Sequence, residues 1–220
     1  MLNLILGKNP FVKTEYVRQL VADKVNDGKK CIIIVPEQFS YETEKSMLDL
    51  VGAEKMLSVD VLSMTRLAQL ILSEYAEKEV NPEADDGVKM MTMSLALESL
   101  GDKLQIYKKY TSRPQLVVEL VSFATELKQW TVSVDSLDEF SKNAKASSLK
   151  SKLDELVMIL ALYNSMLEKS YYNTDDKLTR LSSVLLECKY FEDKIVAIDG
   201  FTRFTKQESK TMQKNRHCLG

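Results

Sequence analysis

Short apolar runs and amphipathic segments alternate along the first third of the chain. Runs rich in Ile, Val and Leu predict buried strands at Leu2–Leu6, Cys31–Val35, Ser58–Leu62 and, much later, Ile195–Asp199. Helical patterns at Thr14–Val25 and Tyr41–Leu50 separate the first three runs. Continuous apolar strands joined by helices are typical of a parallel sheet that is covered on both faces. The pattern therefore predicts an α/β fold built from right-handed βαβ units.

Between residues 78 and 190 the hydrophobic pattern is purely helical. One apolar face follows Pro114, at Leu116, Val117, Leu120, Val121, Ala124 and Leu127. A second face runs from Leu153 to Leu167. Stripes with this spacing are typical of helices that pack into a common core. We expect an α/β domain formed by residues 1–77 and 191–212, an all-helical insertion at 78–190, and a disordered tail at 213–220.

Composition narrows the classes of protein that fit. The 220 residues carry a formal net charge of −2, so a nucleic-acid surface would have to be a local basic cluster. The three cysteines, Cys31, Cys188 and Cys218, are odd in number and lack CxxC spacing, which opposes a disulfide framework or a metal site. The only histidine is His217, so histidine-based catalysis is not expected.

Targeting signals are not evident in the sequence. No apolar run approaches the roughly 20 residues that a membrane helix needs. The apolar start of the chain is short and lacks the basic region of a signal peptide. These features predict a cytoplasmic protein.

The loop after the first apolar run has the spacing of a phosphate-binding P-loop. Gly7, Lys13 and Thr14 occupy the positions of the first glycine, the lysine and the hydroxyl residue. Val12 replaces the second glycine, and Pro10 removes a backbone donor. Because the loop binds phosphate through closely spaced N–H groups, we interpret it as degraded. Residual nucleotide binding and a purely structural role both remain open at this point.

The last apolar run ends in an acidic residue, as a Walker B strand does. Asp199 would help to hold Mg²⁺, so it joins the P-loop residues as a weak ATP/Mg²⁺ site. In active P-loop enzymes with this arrangement a glutamate follows and positions the attacking water, but here the next residue is Gly200. We expect ATP hydrolysis to be poor or absent, and we assign no catalytic residue.

Two further segments follow predicted strands, where open α/β sheets place their ligands. Gln38 and Ser40 come after the second strand, and helix capping accounts for Ser40 but not for Gln38. Arg66 follows the third strand on the first turn of a helix, where a positive charge is unfavourable. Either a phosphate or base ligand or a nearby glutamate would relieve this charge.

Three segments, in this order, resemble signature segments of the AddB/RexB family of bacterial ATP-dependent helicase–nuclease subunits. They are VPEQFSYETE at 35–44, VLSMTRLA at 61–68 and IDGFTRFTKQE at 198–208. The resemblance implies a P-loop NTPase-like sheet of the superfamily 1 helicase 1A type, interrupted by a helical 1B-type insertion. It also implies a partner subunit, AddA, and a role in double-strand break repair.

In that family the helicase-like domains of AddB bind single-stranded DNA and scan it for the hotspot sequence Chi. The resemblance assigns this contact to Gln38, Ser40, Arg66 and Phe201. The family's second helicase half, nuclease domain and iron–sulfur cysteines are not among these residues. Two other functions remain open: a small P-loop ATPase that uses Lys13, Thr14 and Asp199, and a scaffold that docks AddA without touching DNA.

Overall fold

The computed structural model describes residues 3–76, 82–173, 177–185 and 188–218. Contacts between backbone segments divide the chain into two compact units, one formed by residues 1–77 and 177–220 and the other by residues 78–176. The first unit thus resumes at residue 177, earlier than the predicted residue 191. Among the described residues, no helix combines the length and apolar composition needed to cross a membrane.

The chain is mostly helical and contains a small parallel sheet. The strands are β1 (Lys30–Ile34), β2 (Val59–Leu62), β3 (Glu83–Ala84), β4 (Tyr172–Asn173) and β5 (Lys194–Ile198). The helices are α1 (Pro10–Asn26), α2 (Ser40–Met56, kinked at Gly52), α3 (Met64–Tyr75), α4 (Asp86–Leu100), α5 (Pro114–Gln129), α6 (Val134–Lys142), α7 (Ser147–Ser170), α8 (Lys177–Val184) and α9 (Lys206–Cys218). Helix α9 extends into the segment 213–220 that the sequence predicts to be a disordered tail.

The sheet of the first unit has the strand order β2-β1-β5, with both pairs parallel. Cys31 lies opposite Val59 on one side and opposite Ile195 on the other. The strands predicted at 31–35, 58–62 and 195–199 and their parallel arrangement are therefore confirmed.

Helices cover both faces of this sheet because β1 is apolar on both faces. Cys31, Ile33 and Val35 point into one core, which α1 and α2 complete with Val21, Val25 and Met47. Ile32 and Ile34 point into the opposite core, which also contains Leu67 and Ile71 of α3 and Leu181, Leu185, Cys188 and Phe191. Leu181 on α8 packs in this second core, which is why α8 belongs to the first unit rather than to a helical segment reaching residue 190.

The predicted strand at Leu2–Leu6 is wrong for the residues that the structure describes, 3–6; Leu2 lies outside them. This segment has no strand, and Leu4 and Leu6 are 77% and 82% exposed. A strand requires a neighbour that satisfies its backbone N–H and C=O groups, and residues 3–6 pair with none of β2, β1 and β5. Apolar composition alone is not sufficient to form a strand there.

The second unit is built around helices α4 to α7. Its core contains the predicted faces of α5 and α7, including Val117, Leu120 and Ala124 on α5 and Leu153 and Leu167 on α7. A short parallel pair is also present, with Glu83 opposite Tyr172 and Ala84 opposite Asn173. The expectation of an exclusively helical segment therefore needs correction: these two strands pair at the point where the chain enters and leaves the unit.

A buried carboxylate on α7 holds the segment that leads into α5. Glu155 is 6% exposed, and its Oε1 accepts hydrogen bonds from the N–H groups of Gln105 (2.8 Å) and Ile106 (2.9 Å). Its Oε2 accepts from Ile106 (3.1 Å) and Tyr107 (3.0 Å). Burial by itself raises the pKa of Glu155, but the three N–H groups outweigh burial and lower the pKa below its ordinary value. The ionised carboxylate therefore stabilises this segment.

We expect Glu155→Gln to destabilise the second unit by about 1.5–3 kcal/mol, because an amide donates where the backbone N–H groups need an acceptor. Since the folded-state pKa is lowered, the stabilisation is present above the ordinary carboxyl pKa and is lost as the pH falls through the lowered value. Urea denaturation at neutral and acidic pH measures both effects. Glu98→Gln, at an exposed position on α4, is the matched control. Equal stability of the two variants at neutral pH would contradict the assignment.

Candidate nucleic-acid interface

The three strands of the first unit end side by side at one edge of the sheet. The N–H of Val35 donates to the carbonyl of Leu62 at 3.0 Å, and the N–H of Asp199 donates to the carbonyl of Ile34 at 3.0 Å. The loops that follow β1, β2 and β5 therefore start next to one another. We call residues 36–40, 63–66 and 199–204 the loop edge.

The loop after β1 contains two of the candidate DNA-contacting residues. Gln38 is exposed in a short 3-10 turn, Glu37–Phe39. Ser40 is the first residue of α2, has helical backbone angles and makes no capping hydrogen bond, so the N-cap prediction for Ser40 is wrong. Its side chain is turned inward: the residue is 2% exposed, and its Oγ has no hydrogen-bond partner among the described residues.

Arg66 lies on the first turn of α3, between two carboxylates from the β1 side. Its N–H donates to the N-cap Ser63 Oγ at 3.2 Å. Its Nε is 3.4 Å from Glu37 Oε1, and its Nη1 is 3.4 Å from Glu44 Oε1. The sequence left two explanations for a positive charge at this position, a bound phosphate or base and a nearby glutamate. The structure places two glutamates beside it. The Arg66 side chain is 51% exposed, and ion pairs this exposed contribute only about 0–1 kcal/mol, so Arg66 can exchange them for another anion.

The loop after β5 approaches the loop after β1 closely at Gly200. This residue has φ +78°, and a Cβ atom built on it would lie 3.3 Å from both Phe39 Cδ2 and Pro36 Cδ. Phe39 thus occupies space next to the position where a Walker B glutamate would follow Asp199. Sequence reasoning missed this contact, and the glycine after the acidic residue was the only signal for it.

Phe201 and Phe204 stack on each other, with ring centroids 4.7 Å apart and an angle of 26° between the planes. Phe201 also packs against the core that lies under α3 and α8. Beyond this pair, Thr205 and Glu208 form a reciprocal capping box at the start of α9: the Glu208 N–H donates to Thr205 Oγ1, and Glu208 Oε2 accepts from the Thr205 N–H. The end of the third signature segment therefore has a structural role.

The P-loop-like segment at the start of α1 makes local hydrogen bonds within residues 9–13. Asn9 caps α1 by accepting the N–H of Phe11 at Oδ1 (3.0 Å), and Pro10 has no N–H. The Lys13 N–H donates to the carbonyl of Asn9 at 3.4 Å, so most donors of the first helical turn are used or missing.

The side chains expected around a nucleotide are not joined to each other. Gly7 lies next to Lys13, since a Cβ on Gly7 would be 3.2 Å from Lys13 Cγ. Lys13 and Thr14 are half-buried on α1. Within the described part of the chain, no hydrogen bond or ion pair connects Lys13 or Thr14 to Asp199.

We expect Gly200→Ala to lower the free energy of unfolding of the first unit more than Gly28→Ala does. Gly28 has nearly the same φ, +79°, but a Cβ there meets nothing within 4 Å. Both substitutions incur the backbone strain of about 1–2 kcal/mol, and only the first adds crowding worth about 1 kcal/mol or more. Urea denaturation compares the two variants, and losses of equal size would show that the contact with Phe39 and Pro36 is easily relaxed.

The chain is similar to known proteins over nearly its whole length. A family model described as ADDB, N-terminal, matches residues 4–214. Two relatives are B subunits of the ATP-dependent helicase/deoxyribonuclease: that of Listeria innocua serovar 6a is 31% identical over 214 residues, and that of Ruminiclostridium cellulolyticum is 32% identical over 216 residues. The matches cover 97% of this chain but only 18% and 19% of those relatives, so the chain spans less than a fifth of their length. The chain therefore belongs to the AddB N-terminal family.

Proposed function

We propose that this chain is the N-terminal, helicase-like part of an AddB-type subunit and that its loop edge binds single-stranded DNA. The observation that carries the proposal is the convergence of the loops after β1, β2 and β5, which contain the three signature segments, at one edge of the sheet. The first unit then corresponds to a P-loop NTPase-like 1A domain and the second to a 1B-type insertion. The relatives are named as B subunits of a helicase/deoxyribonuclease, which supports a partner subunit. A partner of the AddA type and a role in double-strand break repair are what the family resemblance adds to the proposal.

The side chains at the loop edge have the chemistry that a single strand requires. The exposed Gln38 amide and the Arg66 guanidinium donate hydrogen bonds to base edges or phosphates. The stacked pair of Phe201 and Phe204 provides aromatic surface beside them, and Phe204 is 37% exposed. These groups favour contact with unpaired bases, and recognition of a Chi-like sequence would use the same surface.

The two glutamates beside Arg66 make DNA binding an exchange of partners. Without DNA, Glu37 and Glu44 neutralise the guanidinium. When a phosphate binds Arg66, these carboxylates lose their cation and lie next to a negatively charged strand, which opposes binding. The edge therefore favours DNA that also gains contacts with Gln38 and the aromatic pair over a bare phosphate chain.

We expect Arg66→Ala to weaken binding of a labelled single-stranded oligonucleotide by about 1–3 kcal/mol. The double substitution Glu37→Gln/Glu44→Gln should strengthen binding at low salt, because it removes the competing carboxylates. Asp49→Asn/Glu54→Gln changes the charge equally at exposed positions further along α2 and should have a smaller effect. Fluorescence anisotropy at two salt concentrations measures these affinities. Absence of binding by the folded wild-type chain would contradict the proposal and favour a scaffold that only docks the partner subunit.

We also propose that the chain does not turn over ATP. Gly200 provides no carboxylate to position water, and the first turn of α1 has few N–H groups left for phosphate. Asp199, Lys13 and Thr14 keep the side chains that contact Mg²⁺ and phosphate in P-loop enzymes. Weak nucleotide contact without hydrolysis is the behaviour that this combination supports.

Phosphate release by the full chain, with and without single-stranded DNA, should therefore equal the rate in a Lys13→Ala variant. The reason is that neither chain holds an attacking water in place, so removing the lysine has no turnover to abolish. A matched Lys8→Ala variant, in the same segment, controls for loss of charge. ATP hydrolysis that is present in the wild type and Lys8→Ala but lost in Lys13→Ala would instead establish a small P-loop ATPase.

A further inference from the structure

A cluster of cations surrounds Tyr110 in the second unit, which contains none of the signature segments. Lys109 Nζ is 4.8 Å from the centroid of the Tyr110 ring, and Arg113 Cζ is 5.0 Å from it. Lys152, from α7, lines the same cleft as Lys109 and Tyr110. We call these four residues the Tyr110 cluster. It brings three positive charges together on a chain whose net charge is −2.

The cations of the Tyr110 cluster are not paired with carboxylates among the described residues, and the Glu155 carboxylate behind the cleft wall is already bound by the N–H groups of residues 105–107. Within the part of the chain that the structure describes, no ion pair joins Lys109, Arg113 or Lys152 to a carboxylate. The neighbouring Lys108, by contrast, is paired with Asp102 at 2.7 Å. A hydrogen bond from Lys109, together with the charges of Lys109, Arg113 and Lys152, lowers the pKa of the Tyr110 hydroxyl. The local potential is therefore positive and favours an anion.

An open surface cleft lies next to these cations. Its volume is about 520 Å³, and its walls include Gln105, Ile106 and Tyr107 in addition to cluster residues. Gln105 is exposed, and Tyr107 is half-buried, so amide and aromatic groups lie beside the positive charges.

The backbone that carries the cluster is held in place from inside the unit. Glu155 fixes the N–H groups of residues 105–107, as described above, and Lys152 lies three residues before Glu155, on nearly the same face of α7. The Tyr110 N–H donates to the Tyr107 carbonyl at 2.8 Å, and the Arg113 N–H donates to the Tyr110 carbonyl at 2.9 Å. The backbone positions that carry Lys109 and Arg113 are therefore fixed before any ligand arrives, which reduces the backbone entropy lost on binding.

We propose that the Tyr110 cluster is a second nucleic-acid contact, which binds the phosphates of a single strand through Lys109, Arg113 and Lys152. Uncompensated Lys and Arg side chains are the groups that contact phosphates in nucleic-acid complexes. The proposal rests on the proposed function only for the nature of the ligand. It does not require the loop edge to bind, since all its residues lie in the second unit.

The test compares Lys109→Gln/Lys152→Gln with Lys145→Gln/Lys169→Gln, which makes the same charge change at exposed lysines elsewhere in the second unit. All four lysines are exposed, so both double variants should fold, and circular dichroism checks this. We expect the cluster variant to bind a labelled single-stranded oligonucleotide about three- to tenfold more weakly. The slope of log K against log salt should fall by about 1.4, from two phosphate contacts at about 0.7 each. Equal affinity and slope in the two variants would overturn the proposal.

Lysine acetylation followed by mass spectrometry locates the contact on the wild-type chain. An oligonucleotide should protect Lys109 and Lys152 but not Lys145 or Lys169. Inorganic phosphate at the same phosphate concentration should give no protection, and equal protection by phosphate would overturn the assignment to a nucleic-acid strand. If the cluster variant loses affinity while Arg66→Ala does not, the loop-edge proposal fails and the cluster proposal stands; the reverse result has the opposite meaning.

Discussion

The hydrogen bonding of β1 on both sides, together with burial of both its faces, determines where the candidate DNA-contacting residues of the first unit lie. β1 pairs with β2 and β5, and its side chains enter two separate cores. Burying one aliphatic side chain of this size stabilises the fold by about 1.5–3 kcal/mol, so a polar substitution at any of residues 31–34 would destabilise one core or the other. Because all three strands are parallel, their carboxyl ends and the loops that follow them must lie at the same edge.

The local hydrophobic pattern predicts much of this architecture. The remainder depends on which segments pair or pack with each other. The runs at 31–35 and 2–6 are similarly apolar, yet the first forms a strand and the described part of the second, residues 3–6, does not, because only the first has neighbours that satisfy its backbone. The same reasoning applies to α8, whose Leu181 packs on the sheet although its sequence pattern matches the helices before it. Sequence periodicity predicts which face of an element is buried, but not against which element it is buried.

The candidate site divides in the same way between local and long-range contacts. The position of Arg66 after a strand was predictable, but its ion pairs with Glu37 and Glu44 join α3 to the turn after β1 and to α2, and they leave no periodic signal. For Ser40, the local signal was misleading. Serine favours helix caps, but Ser40 is the first residue of α2 itself, and it is buried. The hydrogen bonds of Glu155 reach back 48 to 50 residues, so neither the rigidity of residues 105–107 nor the cation cluster beside them could be inferred from spacing.

Under the proposed function, the lack of ATP turnover follows from packing as well as from the residue at position 200. With φ +78°, and with Phe39 and Pro36 only 3.3 Å from where a Cβ would lie, a glutamate at this position would be strained and crowded. Restoring the carboxylate alone would therefore not restore a helicase-type site, because the loop after β1 would also have to move. That loop carries Gln38 and Glu37, so moving it would disturb the surface proposed to contact DNA. A sheet edge that packs its loops closely for strand binding is thus poorly suited to holding an attacking water, and the two activities compete for the same space.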